Sequence, residues 1–395
     1  MPHHALRPTS RREFLALSVA VGGAAALGAW PRLVRAGDAP PLRILVLGGT
    51  KMLGPAIIEA AIRRGHRVAM FNRNKTEAER GTVIPPEVER FVGDRDPRIG
   101  DGLSSLKGQR FDAVIDTSGL FPRMVRASAE LLESQGAARY IFVSSISAYA
   151  GHATPNADES DPPVVPANPD AEESDPGFVY TGELKRPCEQ AAQAVFGDRA
   201  TIVRPSYLVG PGDASGRFAY WPLRVSECIG DRRRMLVPGG PDDPVQVVDV
   251  RDAAAWLIAI VERNIAGTFN ISGPEKPPTV GAMLAACAAA AGTSPAIAWV
   301  PWQFLIDARQ PVPILLPPDG DYAGFHRRNG AKALRAGFTP RPVRDTCADI
   351  LAWIRTRPDD ERAALRGGLS PEREAELLAQ WDAQPSHPPH HPPHQ

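Results

Sequence analysis

"LRILVLGGTKMLGPAIIEAAIRRGH", residues 42–66, decides the fold. Its first eight residues are a short apolar run rich in branched side chains, as expected of a strand buried on both faces. Residues 54–66 place apolar side chains at helical spacing and end at Gly65, a helix-stop signal. Between the two runs lies a glycine turn. Such a turn lets the backbone bend tightly and approach a pyrophosphate, which then sits at the positive end of the following helix. Gly48 and Gly54 take the outer places of a GxxGxxG spacing, Gly49 adds a second glycine, and Lys51 stands where a middle glycine is usual. The strand before and the helix after are the context that gives this weak motif meaning. Gly48, Gly49, Thr50, Lys51, Met52, Leu53 and Gly54 are therefore candidate dinucleotide-binding residues, with a Lys51 charge in place of one close backbone approach.

Outward from this unit, strand and helix alternate. "RVAMFNR" (67–73), "VERFVGD" (88–94), "FDAVIDTSG" (111–119), "ARYIFVSSIS" (138–147) and "RATIVRPSYLVGPG" (199–212) read as further strands, with a helix in "RMVRASAELLESQG". This alternation predicts an α/β fold, a Rossmann-type doubly wound parallel sheet with right-handed crossovers. The expected domains are a dinucleotide-binding unit over 42–212, to which 245–273 returns, and a smaller C-terminal α/β substrate lobe from 213–244 and 274–383. Residues 152–177 hold seven acids and six prolines and read as a flap too polar to pack. "LSPEREAELLAQW" (369–381) reads as a helix started by Ser370 and Pro371. The end, "SHPPHHPPHQ", reads as a disordered His/Pro tail (384–395).

The chain has 395 residues and a formal net charge of zero. Residues 1–36 hold five Arg and one Glu, so the remainder carries 40 basic against 44 acidic residues, a net of −4. That balance opposes a nucleic-acid partner. The N-terminus has paired Arg11 and Arg12 before a mild Gly/Ala-rich apolar run, and "LVRA" offers cleavage after Ala36. This resembles a twin-arginine export signal, which implies export of the folded protein to the periplasm by machinery for folded proteins. An uncleaved signal would instead anchor the chain to a membrane. Cys188, Cys228, Cys287 and Cys347 show no CxxC spacing and read as isolated buried thiols. No His/Cys/Asp cluster has metal-ligand spacing.

Several motifs in order resemble the extended short-chain dehydrogenase/reductase family of sugar-nucleotide epimerases and dehydratases, and its atypical members with Lys or Arg inside GGTxxxG. They are "GGTKMLG", "GD" (93–94), "DTSG" (116–119), "VSSISAY" (143–149), "DESDPP" (158–163), "VRPSYLVGPGD" (203–213) and "VQVVDVRDAA" (245–254). The resemblance implies NAD(P) binding, with Asp94 near the adenine, Thr117 and Ser118 along the cofactor, Ser145 as the catalytic serine, a small-molecule substrate and a homodimer. The second strand ends "FNRNK" with no acid. Asn72 and Arg73 there suit a 2′-phosphate, which favours NADP over NAD. Arg204, Arg217 and Tyr220 are candidate substrate contacts; Arg204 faces the cleft or pairs with an acid, and the aromatic stretch 216–224 lines a pocket or packs in the core.

The family's proton-transfer pair is a Tyr and a Lys four residues apart on one helix. Here "VYTGELKRP" puts Tyr180 five residues before Lys185, about 140° away on a regular α-helix. Thr181 has the right spacing, but its hydroxyl is a far weaker acid than a phenol. Either Tyr180 reaches the site from a loop before the helix, or Thr181 has replaced it; the second reading implies an impaired, ligand-binding protein. Lys185 keeps a second task, bonding the nicotinamide ribose. Beyond the cytoplasm nothing recycles free nicotinamide cofactor. An exported enzyme is therefore expected to keep its cofactor bound and run redox-neutral chemistry, such as epimerisation, on a free sugar or glycoside.

Overall fold

A computed structural model describes residues 40–75, 84–165, 182–230, 233–365 and 367–384. The export-like segment, Tyr180, Thr181 and residues 385–395 lie outside them.

The chain follows the alternation its sequence announces. It runs β1 (Arg43–Leu47), α1 (Leu53–Arg63), β2 (Arg67–Asn72), β3 (Glu89–Val92), β4 (Ala113–Asp116), α2 (Pro122–Ser134), β5 (Arg139–Val143), α3 (Lys185–Phe196) and β6 (Ala200–Pro205). It continues with β7 (Tyr207–Val209), α4 (Tyr220–Ser226), β8 (Arg234–Pro238), β9 (Val247–Asp249), α5 (Val250–Arg263), β10 (Gly267–Ile271), α6 (Val280–Ala291), β11 (Ala296–Val300), α7 (Val343–Arg355) and α8 (Pro371–Asp382), with short helical turns between. Seven strands form one sheet in the order β10-β6-β5-β4-β1-β2-β3. All its pairings are parallel. This is a Rossmann-type α/β fold.

Strand alternation sends side chains to two cores. Ile44, Val46, Val68, Met70 and Ile115 pack against α1 and α5, with Ile57, Ile58 and Leu257 closing that face. Leu45, Leu47, Phe71, Tyr140 and Phe142 pack against α2 and α3 on the other face, with Val125, Ala129 and Ala192. Each of these fully buried large side chains contributes about 2 kcal/mol by leaving water. A third cluster joins α4, α6, α7 and α8 to the parallel β8–β11 pair around Trp221, Leu236 and Leu284. β9 pairs with β7 rather than with the main sheet, so the return of 245–273 to that sheet runs through α5 and β10.

Local signals act where expected. Gly65 follows the end of α1 at φ +82°. Ser370 Oγ accepts the Arg373 N–H at the start of α8, and Pro371 occupies the first turn. Two expectations need correction. The described first part of the acidic flap does pack: buried Arg328 donates to Asp161 Oδ2 and to the Gly151 carbonyl, and Tyr149 bridges to Pro163. The polar segment is held by charge and backbone bonds, which composition alone does not reveal. The four thiols are buried, but not all are isolated, since the Cys287 and Cys347 sulfurs lie 3.4 Å apart. Among the described residues no helix is long and apolar enough to cross a membrane, and no group of His, Cys, Asp and Glu is placed to hold a metal ion.

Candidate active site

A cavity of about 490 Å³ opens at the carboxyl ends of β1, β2, β3, β4 and β5 and reaches Pro205 at the end of β6. It lies over the β1/β4 switch point, where parallel α/β sheets bind ligands. Gly48–Leu53, Asn72, Arg73, Lys75, Asp94, Thr117, Ser118, Ser144 and Lys185 all line it.

The glycine turn is shaped by missing side chains. Gly48 sits at φ +105°, and a Cβ there would come within 2.6 Å of Thr117 Oγ1. That hydroxyl donates to the Leu47 carbonyl (2.9 Å) and ties β1 to the residue after β4. A Cβ on Gly54 would lie 2.3 Å from the Gly49 Cα, so the first turn of α1 packs directly on the loop. Lys51 is exposed and outside the left-handed region, which is why a side chain is tolerated there. Its carbonyl accepts the Gly54 N–H (2.7 Å). No side chain caps the amino end of α1, and its first turn carries no acid. The positive end of the helix is left to an outside anion. A pyrophosphate fits such a cradle.

Around the rim, Asn72 Oδ1 turns to accept the Asn74 N–H (2.6 Å), while Arg73 and Lys75 line the wall with no acid among them. Asp94 lines the cavity, and its Oδ1 accepts the Asp96 N–H (2.9 Å). Beneath it Arg95, which sequence reasoning passed over, clasps buried Asp116 at 2.5 and 2.8 Å. Tyr140 adds a 2.7 Å bond to the same carboxylate. The signal for Arg95 was the charge pair in "GDRD" and the inward Asp in "VIDTSG", visible only once the segment after β3 is known to reach back across the sheet to the end of β4.

The other end of the cavity is built differently. Lys185 is the first residue of α3, and its Nζ donates to the Gly119 carbonyl (3.2 Å) above the Phe142 ring. Burial lowers its pKa below the ordinary lysine value. Residues 182–184 form a 3₁₀ turn ahead of α3, so the stretch from Tyr180 to Lys185 is not one α-helix and the 140° separation does not apply. Gly182 explains the junction. A Cβ there would meet the Ser147 carbonyl oxygen at 1.5 Å, which presses the chain just after Thr181 onto the serine turn. Ser145 heads that turn: its Oγ accepts the Ser147 N–H and bonds Ser147 Oγ, both at 3.1 Å. Ser144, not Ser145, lines the cavity, and its hydroxyl donates to buried Glu189 (2.6 Å).

The structure does not bring the three substrate candidates to the cavity. Arg204 takes the acid-pairing alternative: it grips Glu189 at 2.8 and 2.6 Å and stacks on Tyr149. Tyr220 is packed into the third cluster against Trp221 and Gly368. Arg217 is exposed and reaches over the Tyr207 ring. The sequence showed their chemistry but not the direction of α4.

A model described as the NAD dependent epimerase/dehydratase family matches residues 44–272. The chain is 28% identical over 267 residues to chloroplast stem-loop binding protein of 41 kDa b from Arabidopsis thaliana, a match covering 63% of each chain. It thus spans less than two thirds of that relative's length. It is 26% identical over 261 residues to a 3-diazoavenalumate denitrifying reductase from a Streptomyces species, covering 60% of this chain and 78% of the other. Its fold is similar to that of Thermus thermophilus UDP-glucose 4-epimerase in complex with NAD, with TM-score 0.56, 20% identity, and 80% and 100% of the two chains covered.

Proposed function

The chain belongs to the NAD dependent epimerase/dehydratase family, and from that premise we propose that it is an NAD(P)-dependent enzyme acting on a sugar or related hydroxyl or keto compound with a tightly held cofactor. The observation that carries this reading is the glycine-walled cavity with an uncapped helix end at one extremity and half-buried Lys185 at the other. A nicotinamide dinucleotide, when bound, supplies reversible oxidation of an alcohol. The chain's own residues do the rest. The amides at the head of α1 hold the pyrophosphate, and Lys51 adds a charge at the loop tip. Lys185, fixed by Gly119, presents an ammonium to the ribose side of the cavity. Ser145 orients the substrate oxygen, and the proton carrier is Tyr180 or, in an impaired chain, Thr181.

The end of β2, which offers Arg73 and Lys75 to the cavity and no acid, supports NADP over NAD. Export through the twin-arginine route favours redox-neutral turnover, because a cofactor carried inside a folded protein must leave each cycle unchanged. The net charge of −4 outside residues 1–36 argues against carrying over the stem-loop binding in the plant relative's name.

The test is the absorbance and mass of what co-purifies with the folded protein, followed by titration with NADP and NAD. Bound nicotinamide dinucleotide is expected. Protein that stays empty in excess of both overturns the reading. Cofactor-loaded protein that turns over no member of a broad sugar and alcohol panel instead supports the impaired, ligand-binding alternative.

A further inference from the structure

Far from the cavity, α6 and α7 pack along each other in the third cluster. Cys287 on α6 and Cys347 on α7 are both fully buried. The Cys287 thiol points at Cys347 Sγ across 3.4 Å. They are 60 residues apart in sequence. Their neighbours are apolar: Val280, Met283, Leu284, Ile350 and Ile354. Cys188, on α3, lies in a different cluster, and Cys228 faces Arg224, so the other two thiols have no cysteine neighbour among the described residues. Two thiols placed sulfur to sulfur from separate helices form the one cysteine pair in the described chain that can cross-link with small side-chain movements.

We propose that Cys287 and Cys347 are a disulfide-forming site that staples α6 to α7 when the chain meets an oxidising thiol–disulfide environment. The oxidant is a disulfide, either protein-borne or of low molecular weight. One cysteine, as its thiolate, attacks a sulfur of that disulfide; a mixed disulfide forms and one thiol leaves. The second cysteine attacks the mixed disulfide at the protein sulfur, and the second thiol leaves. The two cysteine protons end on the two leaving thiols, the protein is oxidised by two electrons and the disulfide is reduced. In the closed core the exchange is slow. Both sulfurs are out of reach, and the bond to Cys347, with burial, pushes the Cys287 thiol up from its ordinary pKa. Cross-linking therefore accompanies folding or a transient opening of α6 from α7. The bond closes a long loop of the unfolded chain, the arrangement in which a cross-link constrains that state most. The proposal does not depend on the cofactor or on catalysis.

The experiment uses the full chain, refolded from urea with oxidised glutathione and, in parallel, with dithiothreitol. Each sample is unfolded, alkylated without reductant and mapped by mass spectrometry. In the glutathione sample two of the four cysteines, Cys188 and Cys228, take the label, and one peptide pair joins Cys287 to Cys347. The thermal midpoint of the oxidised protein exceeds that of the reduced protein by about 5 °C. Cys347→Ala removes both the linked peptide and the difference in midpoint. Should that variant fail to fold, the oxidised and reduced wild-type samples still decide the matter. Four labelled cysteines after oxidative refolding, or a linked pair that includes Cys188 or Cys228, overturns the proposal.

Discussion

The two ends of the cavity make a useful contrast. At the dinucleotide end, Gly48, Gly49 and Gly54 shape the wall by having no side chain, and the backbone of one strand–turn–helix unit does the positioning. At the Lys185 end, Lys185 and Ser144 depend on long-range partners, Gly119, Glu189 and, through Glu189, Arg204, while the Ser145 hydroxyl bonds only its near neighbour Ser147 among the described residues. Yet each end rests on the same support, a buried arginine clasping a buried carboxylate, Arg95 with Asp116 and Arg204 with Glu189. Local sterics make the first end robust and readable. The second is a product of tertiary packing, so small changes elsewhere can move it.

The supports give the largest expected effects. Arg95→Leu leaves Asp116 charged in the core without its ion-pair partner, whereas Arg204→Leu leaves Glu189 with Arg186 still 3.0 Å away. The first is expected to lower unfolding stability by about 3–5 kcal/mol in urea titration, and the second by about 2 kcal/mol. Adding Asp116→Asn or Glu189→Gln should restore part of each loss. An equal loss in the two variants would mean that Arg186 does not hold Glu189 in place and that the two supports are equivalent.

Next come two glycines. Gly54→Ala drives a Cβ into the Gly49 backbone and is expected to weaken dinucleotide affinity by about a hundredfold, a cost of the size of overpacking. Gly182→Ala should leave dinucleotide affinity within about threefold while turnover falls by about a hundredfold, because it displaces the segment beside Ser147. Equal loss of affinity in both variants would erase the distinction between the ends.

A pH profile sharpens the comparison further. Burial lowers the Lys185 pKa, so the charged form is lost as pH rises at a pH below that of an ordinary lysine. A rate that uses the ammonium should decline on that alkaline limb, and Lys185→Arg should remove the limb. The smallest effect is at the rim: Arg73→Asp is expected to shift the NADP-to-NAD affinity ratio about tenfold toward NAD, read by titration with both.

What the sequence disclosed follows the same division. The β1–turn–α1 unit was legible because hydrophobic period, glycine and helix stop all lie within 25 residues, and every constraint is local. The sheet followed from repeating that unit. Tyr180 and Lys185 were harder. Their spacing was judged on a continuous α-helix, whereas a 3₁₀ turn at 182–184 resets the geometry before Lys185. The direction of Tyr220 was not readable, since α4 is too short for a periodic pattern to say which cluster it joins. Arg95 looks in sequence like any surface arginine, and Arg204 left two readings open, the cleft or an acid. Only the tertiary fold brings Asp116 at the end of β4 to the first and Glu189 on α3 to the second.

The Thr117 hydroxyl bond to the Leu47 carbonyl spans 70 residues. It joins the turn after the first strand of the sheet to the turn after the fourth, so the pyrophosphate cradle has no existence in a nascent chain that has only just emitted its glycines. The cradle appears only when the middle of the sheet has closed, and the ligand therefore reports on assembly. A dinucleotide bound in that turn is therefore expected to report that β4 has paired with β1.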